Sequence, residues 1–122
     1  MAVQQRTLAA GTPATQAAAL AGTVANALTA AGNSQATALA LPADINRFTT
    51  VAASTGTILP AMNPGDYVEI FNGGANALAV YPPVGGAINA IAANSPYNVA
   101  TATPYCRVRC VTPTQYIAQQ SA

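Results

Sequence analysis

Residues 60–89 read PAMNPGDYVEIFNGGANALAVYPPVGGAIN. Within this stretch, segments 67–72 and 77–81 alternate between apolar side chains and other types. A period of two is typical of strands that bury one face. The intervening Asn72-Gly-Gly-Ala-Asn76 is rich in residues that adopt positive φ at low cost, so the sequence predicts a β-hairpin. Pro82-Pro83 cannot donate to a strand ladder and ends the second strand.

The same alternation and the same punctuation by Pro, Gly and Asn continue on both sides of this stretch. They predict nine strands, which are Ala36–Leu41, Ile45–Ala52, Thr57–Leu59, Tyr67–Asn72, Ala77–Tyr81, Ala87–Ile91, Tyr97–Thr101, Tyr105–Val111 and Gln115–Ala118. Short strands separated by turn signals at intervals of about 8 to 12 residues indicate an all-β sandwich or barrel. We expect a jelly-roll-like β-sandwich over residues 35–122, because that architecture manages its sheet edges.

Residues 1–34 differ in composition from the rest of the chain. Eleven of the 23 residues from Ala9 to Ala31 are alanine. A helix could begin at Thr12-Pro13 and end at Gly32. One stripe of it would then consist of Leu20, Val24, Leu28 and Ala31. Gly22 and the frequent threonines weaken that helix, and an extended arm that orders on a neighbouring molecule is the alternative. Either form predicts a tether or clasp between subunits.

The composition excludes several functional classes. The chain has 122 residues, of which only seven are charged, and its net charge is +1. Electrostatic binding of nucleic acid needs clustered lysine and arginine, so no nucleic-acid partner is expected. The sequence has no run of about 20 large apolar residues, so no membrane span is predicted. Its first residues make a poor signal peptide, and both observations fit synthesis in a bacterial cytoplasm. So little charge also suggests that much of the surface faces other subunits.

The residues needed for common catalytic and metal sites are missing from the sequence. It contains no histidine and no lysine, which removes the usual nucleophile–base pairs and Schiff-base chemistry. We therefore expect no enzyme activity, no catalytic residue, no cofactor and no metal. Asp66 follows a turn glycine and is expected to cap local backbone amides. Cys106 and Cys110 lie about 13 Å apart on one face of a strand, too far for a mutual disulfide, and are expected to be core residues beside Val108.

A resemblance is carried by the central stretch. Pro64-Gly-Asp66, a short strand, Asn-x-Gly-x-Asn and then Leu78-x-Val-Tyr-Pro-Pro-x-Gly-x-x-Ile-Asn89 resemble an element of small tailed-bacteriophage virion proteins. The stretch from Gln35 to Pro60 is similar to theirs too, and the resemblance covers roughly residues 32–118. These proteins include head decoration (cementing) proteins and some tail-associated proteins. The resemblance implies a role in structure and assembly, and it carries over no catalytic residues.

Arg107 and Arg109 are expected to project from one face of their strand, with Tyr105 and Val111 alongside. They could be solvated or paired with Asp66 or Glu69, or they could bind carboxylates on a neighbouring subunit or the capsid, since arginine holds carboxylates through two parallel bonds. We take Arg47, Tyr105, Arg107 and Arg109 as the candidate inter-subunit contacts.

The expected function is that of a structural virion protein, most like a head decoration protein. It would bind the major capsid protein on the outer capsid surface, stabilise the shell by bridging subunits, and self-associate as a trimer, the trimer resting on the resemblance alone. One alternative is a tail-fibre or tail-tip module that binds a host-surface glycan through exposed tyrosines. Another is a non-viral self-assembling β-protein whose arm exchanges between protomers.

Overall fold

A computed structural model describes residues 9–11, 13, 16 and 22–121 of the chain. It contains ten strands, which are β1 (Val24–Thr29), β2 (Leu39–Ala40), β3 (Ile45–Thr50), β4 (Gly56–Ile58), β5 (Tyr67–Asn72), β6 (Leu78–Tyr81), β7 (Ala87–Ile88), β8 (Tyr97–Val99), β9 (Tyr105–Thr112) and β10 (Gln115–Gln120). They form a six-stranded sheet in the order β1-β3-β5-β9-β10-β7 and a four-stranded sheet in the order β2-β4-β6-β8. The predicted all-β class is confirmed, and each of the nine predicted strands overlaps an observed one.

The first six strands alternate between the two sheets. β1, β3 and β5 pair in parallel in the larger sheet, and β2, β4 and β6 pair in parallel in the smaller one. Parallel neighbours need a crossover, and here each crossover runs through a strand of the opposite sheet, as in the coils of a β-solenoid. This winding departs from the predicted jelly roll, whose strands are antiparallel.

After β6 the pairing changes from mostly parallel to mostly antiparallel in both sheets. β8 pairs antiparallel with β6, β9 with β5, and β10 with β9, while β7 adds a short parallel edge to β10. The long β9–β10 hairpin therefore extends the sheet beyond the parallel coils. It places the arginine-bearing strand β9 directly beside β5.

Both sheets bury their inner faces in one hydrophobic core. In β5 the even positions Val68 and Ile70 are buried, as the alternation of apolar residues predicted. The smaller sheet contributes Leu78, Val80 and Val99, which lie in the same cluster. Each such side chain contributes about 1.5–3 kcal/mol when it leaves water. The shared core fixes which side of each strand faces solvent.

The predicted N-terminal arm is partly a strand. β1 begins at Val24, pairs with Ile45 of β3, and leads into the buried Ala30. The helix prediction is wrong for residues 24–29, because pairing with β3 outweighs the weak local preference of an alanine-rich segment. The larger sheet thus begins before the predicted boundary at residue 35. The predicted helix start at Thr12 and the stripe residue Leu20 lie outside the described residues.

The predicted hairpin between β5 and β6 is also wrong, since these two strands belong to different sheets. The loop between them carries the chain from one sheet to the other. A Cβ on Gly73 would lie 2.8 Å from the Phe48 carbonyl oxygen, and one on Gly74 would lie 2.6 Å from the Val51 nitrogen. The glycines are therefore required for close backbone approach, and neither has positive φ.

Candidate interaction face

One surface of the molecule stands out by its side chains. It is the solvent side of the larger sheet, which we call the outer face. Because residues that pair across strands share a side of the sheet, its members follow from the register. They are Val24, Ile45, Arg47, Tyr67, Glu69, Phe71, Tyr105, Arg107, Arg109, Val111, Ile117 and Gln119.

All four candidate contact residues lie on the outer face. Arg107 and Arg109 project to solvent between buried neighbours of β9, as predicted. Arg47 on β3 joins them because Phe71 lies between Arg47 and Tyr105 in one cross-strand row. Three strands that are distant in the sequence thus present their polar and aromatic side chains together.

Arg107 is paired with a carboxylate. Its Nη2 donates to Glu69 Oε1 at 2.7 Å, which realises the predicted option of a Glu69 partner. This bond raises the pKa of Arg107 above its ordinary value. Burial, with Glu69 nearby, raises the pKa of Tyr105. The pair is exposed to water, so it orders the centre of the outer face more than it stabilises the fold.

Arg47 and Arg109 have neutral partners instead. Arg47 Nη1 donates to Asn26 Oδ1 at 3.0 Å, and Arg109 Nη1 donates to the Gly65 carbonyl oxygen at 3.4 Å. Arg107–Glu69 is the one ion pair among the residues that the structure describes. Three arginines and one glutamate leave the outer face with an excess of two positive charges.

Tyr67 lies against both arginines of β9. The Cζ atoms of Arg107 and Arg109 are 4.7 and 4.9 Å from the centroid of its ring. A guanidinium over an aromatic ring is attracted by the negative charge of the ring face. The tyrosine ring therefore contacts both guanidinium groups at the surface.

Apolar side chains are concentrated on the same face. Among the described residues, six large apolar or aromatic side chains are exposed, and all but Val84 belong to the outer face. The exposed fractions of Tyr67, Phe71 and Ile117 are 45%, 38% and 53%. Neither Val24 nor Ile117 was among the contact residues predicted from the sequence, where Val24 was assigned to the stripe of a possible helix. The alternation of β10 alone would have placed Ile117 opposite the buried Tyr116 and Ala118.

A cleft of about 610 Å³ opens at one end of the larger sheet, next to the outer face. Two of the residues that line it, Asp44 and Asp66, accept hydrogen bonds from backbone amides. Asp44 Oδ2 accepts from Thr23 N at 2.9 Å, and Asp66 Oδ2 accepts from Asn63 N at 2.9 Å, which confirms Asp66 as a turn cap. No group of three or more potential metal ligands occurs within the described part of the chain.

The two thiols are buried on the core side of β9, as predicted. Cys106 and Cys110 are free and flank the buried Val108. Burial raises the pKa of Cys106 from 9.0 to about 11, and it raises the pKa of Cys110 as well. Both therefore remain protonated near neutral pH and act as small apolar residues.

Comparison with known proteins gave no match to a family model, to a curated protein or to a solved structure. Among the residues that the structure describes, no helix has the length and apolar character needed to cross a bilayer.

Proposed function

We propose that this chain is a structural virion protein that attaches through its outer face to the outer surface of a bacteriophage capsid. It bridges neighbouring capsid subunits and so stabilises the shell. The observation that carries the proposal is the coincidence of all four candidate contact residues with five exposed apolar side chains on one sheet face. The virion setting rests on the sequence resemblance.

The chemistry of the outer face suits a protein partner. Arginine and aromatic residues are enriched at the centres of protein interfaces, where they supply most of the binding energy. Here arginine, tyrosine and phenylalanine lie together on hydrogen-bonded strands of one sheet, so little backbone entropy is lost when they are covered. The rest of the described surface has few charges to direct a competing contact.

The size of the outer face favours multivalent attachment. Five strands about 4.8 Å apart, each about 20 Å long, cover roughly 500 Å². A standard stable interface buries about 800 Å² on each partner. A single copy is therefore expected to bind weakly, and self-association, as a trimer by the resemblance, would raise the affinity through avidity.

Stabilisation of the shell then follows from mass action. A ligand that binds the assembled lattice in preference to free or rearranged subunits lowers the free energy of the assembled state. Rupture of the shell must also break the contacts made by the bridging copies. No catalytic step, cofactor or nucleic acid is part of this mechanism.

Glycan binding by a tail module is the weaker candidate. A sugar-binding platform needs an aromatic ring face that is free to stack. The ring of Tyr67 is already in contact with two guanidinium groups. The outer face therefore favours a protein partner over a sugar.

The test is binding of purified chain to capsids from which this protein has been removed. Phe71→Ala combined with Ile117→Ala should weaken binding at least about tenfold, because both side chains are exposed on the outer face. Val84→Ala is the matched control, since Val84 is exposed at 83% but lies off that face. Melting temperatures of all variants check that folding is intact. Equal loss of binding in the control would contradict the proposal.

A further inference from the structure

The outer face contains two similar pairs of one arginine and one aromatic ring. Arg47 of β3 lies directly across from Phe71 of β5. Arg109 of β9 lies directly across from Tyr67, four residues earlier on the same central strand. Each pair places an arginine directly across from an exposed aromatic residue, and we call them the two recognition stations. The Arg109 guanidinium carbon lies 4.9 Å from the centroid of the Tyr67 ring, whereas the Arg47 guanidinium donates to Asn26 of β1.

The ion pair Arg107–Glu69 lies between the two stations. Glu69 is midway between Tyr67 and Phe71 along β5, and Arg107 is its direct partner on β9. Glu69 Oε1 neutralises Arg107 at 2.7 Å from its Nη2. The excess positive charge of the outer face therefore belongs to Arg47 and Arg109, one in each station. The partner therefore meets, at Arg47 and Arg109, positive charge that has no carboxylate partner among the described residues. Arg107, whose guanidinium carbon also lies 4.7 Å from the Tyr67 ring centroid, is neutralised by Glu69.

The register fixes the spacing of the stations. Arg47 and Arg109 are two strands apart, which is about 9.6 Å, and four residues apart along the strands, which is about 13 Å. Their Cα atoms are therefore about 16 Å apart on the diagonal. Each guanidinium can donate two parallel hydrogen bonds to a carboxylate.

We propose that the outer face recognises an acidic protein surface through a two-point clamp, in which each station binds one carboxylate and the Cα atoms of the two arginines are about 16 Å apart. The inference rests on the proposed function and specifies the partner surface that it requires. Arg47 and Arg109 are the specificity-determining contacts, and Arg107 is a positioning residue that holds Tyr67 and Glu69. Two charges are too few for nucleic-acid binding, which neutralises many phosphates at once.

The experiment measures binding to capsids lacking this protein over a series of salt concentrations. Arg47→Ala with Arg109→Ala should lose at least about a hundredfold in affinity, about tenfold for each station, and most of the salt dependence. Glu69→Gln with Arg107→Gln removes one charge of each sign and should lose less while keeping the salt dependence. Val84→Ala is the control away from the outer face. The inference is overturned if both double variants lose the same salt dependence, or if the first keeps it.

A second probe separates this inference from the proposed function. It is a synthetic peptide with two glutamates about five residues apart and a phenylalanine between them, which separates the glutamates by about 16 Å in the extended form. It is compared with the same peptide carrying lysine in place of glutamate. Wild-type chain should retain the glutamate peptide only, and Arg47→Ala with Arg109→Ala should abolish retention. If capsids are not bound but the peptide discrimination holds, the proposed function fails and the clamp stands. Equal retention of both peptides, or of single-stranded DNA in preference to either, would refute the clamp.

Discussion

Asn72 is the side chain that ties the two sheets together, and its removal is the sharpest test of the fold. It ends β5 and is 2% exposed. Its Nδ2 donates to the carbonyl oxygens of Asn76 and Val99, both at 2.9 Å, and its Oδ1 accepts from Gly74 N at 3.0 Å. Val99 belongs to the smaller sheet, so one amide group fixes the crossing loop and joins it to both sheets.

The expected cost of Asn72→Ala follows from these three bonds. Each hydrogen bond contributes about 1 kcal/mol net. Without the Asn72 side chain, its three backbone partners are left unsatisfied where water reaches them poorly, so we expect the free energy of unfolding to fall by about 3 kcal/mol. For a domain of this size, that corresponds to a fall in melting temperature of roughly 10 °C.

Urea unfolding measures this cost directly. The midpoint should fall while the m-value stays unchanged, because the surface exposed on unfolding is the same. Asn98→Ala is the control, since Asn98 is exposed on β8 and its replacement should change stability by less than about 0.5 kcal/mol. A loss below about 1 kcal/mol for Asn72→Ala would refute the role given to this side chain.

Two further predictions concern backbone strain and the buried thiol. Ala27 has a φ of 57°, in the left-handed region that strains a residue with a Cβ. Ala27→Gly should therefore stabilise the protein by about 0.5–1 kcal/mol in urea unfolding, whereas Ala25→Gly in the same strand should destabilise it. A change of the same sign for both variants would contradict the assigned strain. Between pH 9.0 and about 11 the folded state retains the Cys106 proton that the unfolded state releases, so stability present below pH 9 is lost as pH rises, by at most about 3 kcal/mol. Cys106→Ala should flatten this decline, leaving the smaller contributions of Cys110, Tyr105 and Tyr116, and an unchanged slope would contradict the assignment.

Strand positions could be predicted because each depends on local alternation. The period of two in residues 67–72 and 105–112 is visible without knowledge of any neighbour, and Pro and Gly mark the strand ends. β1 escaped prediction because VANALT has no clear alternation, and its strand conformation depends on pairing with β3. Its local sequence alone fits a weak helix equally well.

The order of the strands could not be predicted, for a physical reason. An Asn-Gly-Gly loop serves a hairpin and a crossing between sheets equally well, because a hairpin uses the backbone freedom of glycine and this crossing uses its lack of a side chain. The choice is made by contacts such as Gly74 against Val51, which join residues distant in the sequence. Parallel winding likewise depends on pairs such as Val24 with Ile45.

Part of the candidate site could be predicted from the sequence for the same reasons. The shared side of Arg107 and Arg109 follows from their spacing on one strand. That Arg47 and Phe71 join them depends on the order β3-β5-β9, which only the folded structure supplies. The pairing of Arg107 with Glu69 was one of the predicted options, and the register between β5 and β9 selects it.

The most direct test of the proposed function is the number of copies of this chain relative to the major capsid protein in purified particles. Quantitative mass spectrometry of intact virions would give that ratio. The proposal expects a copy for every capsid subunit, or a trimer at each local threefold position. A ratio that corresponds to a few copies per particle would place the chain in the tail, and its absence from purified particles would contradict a virion role altogether.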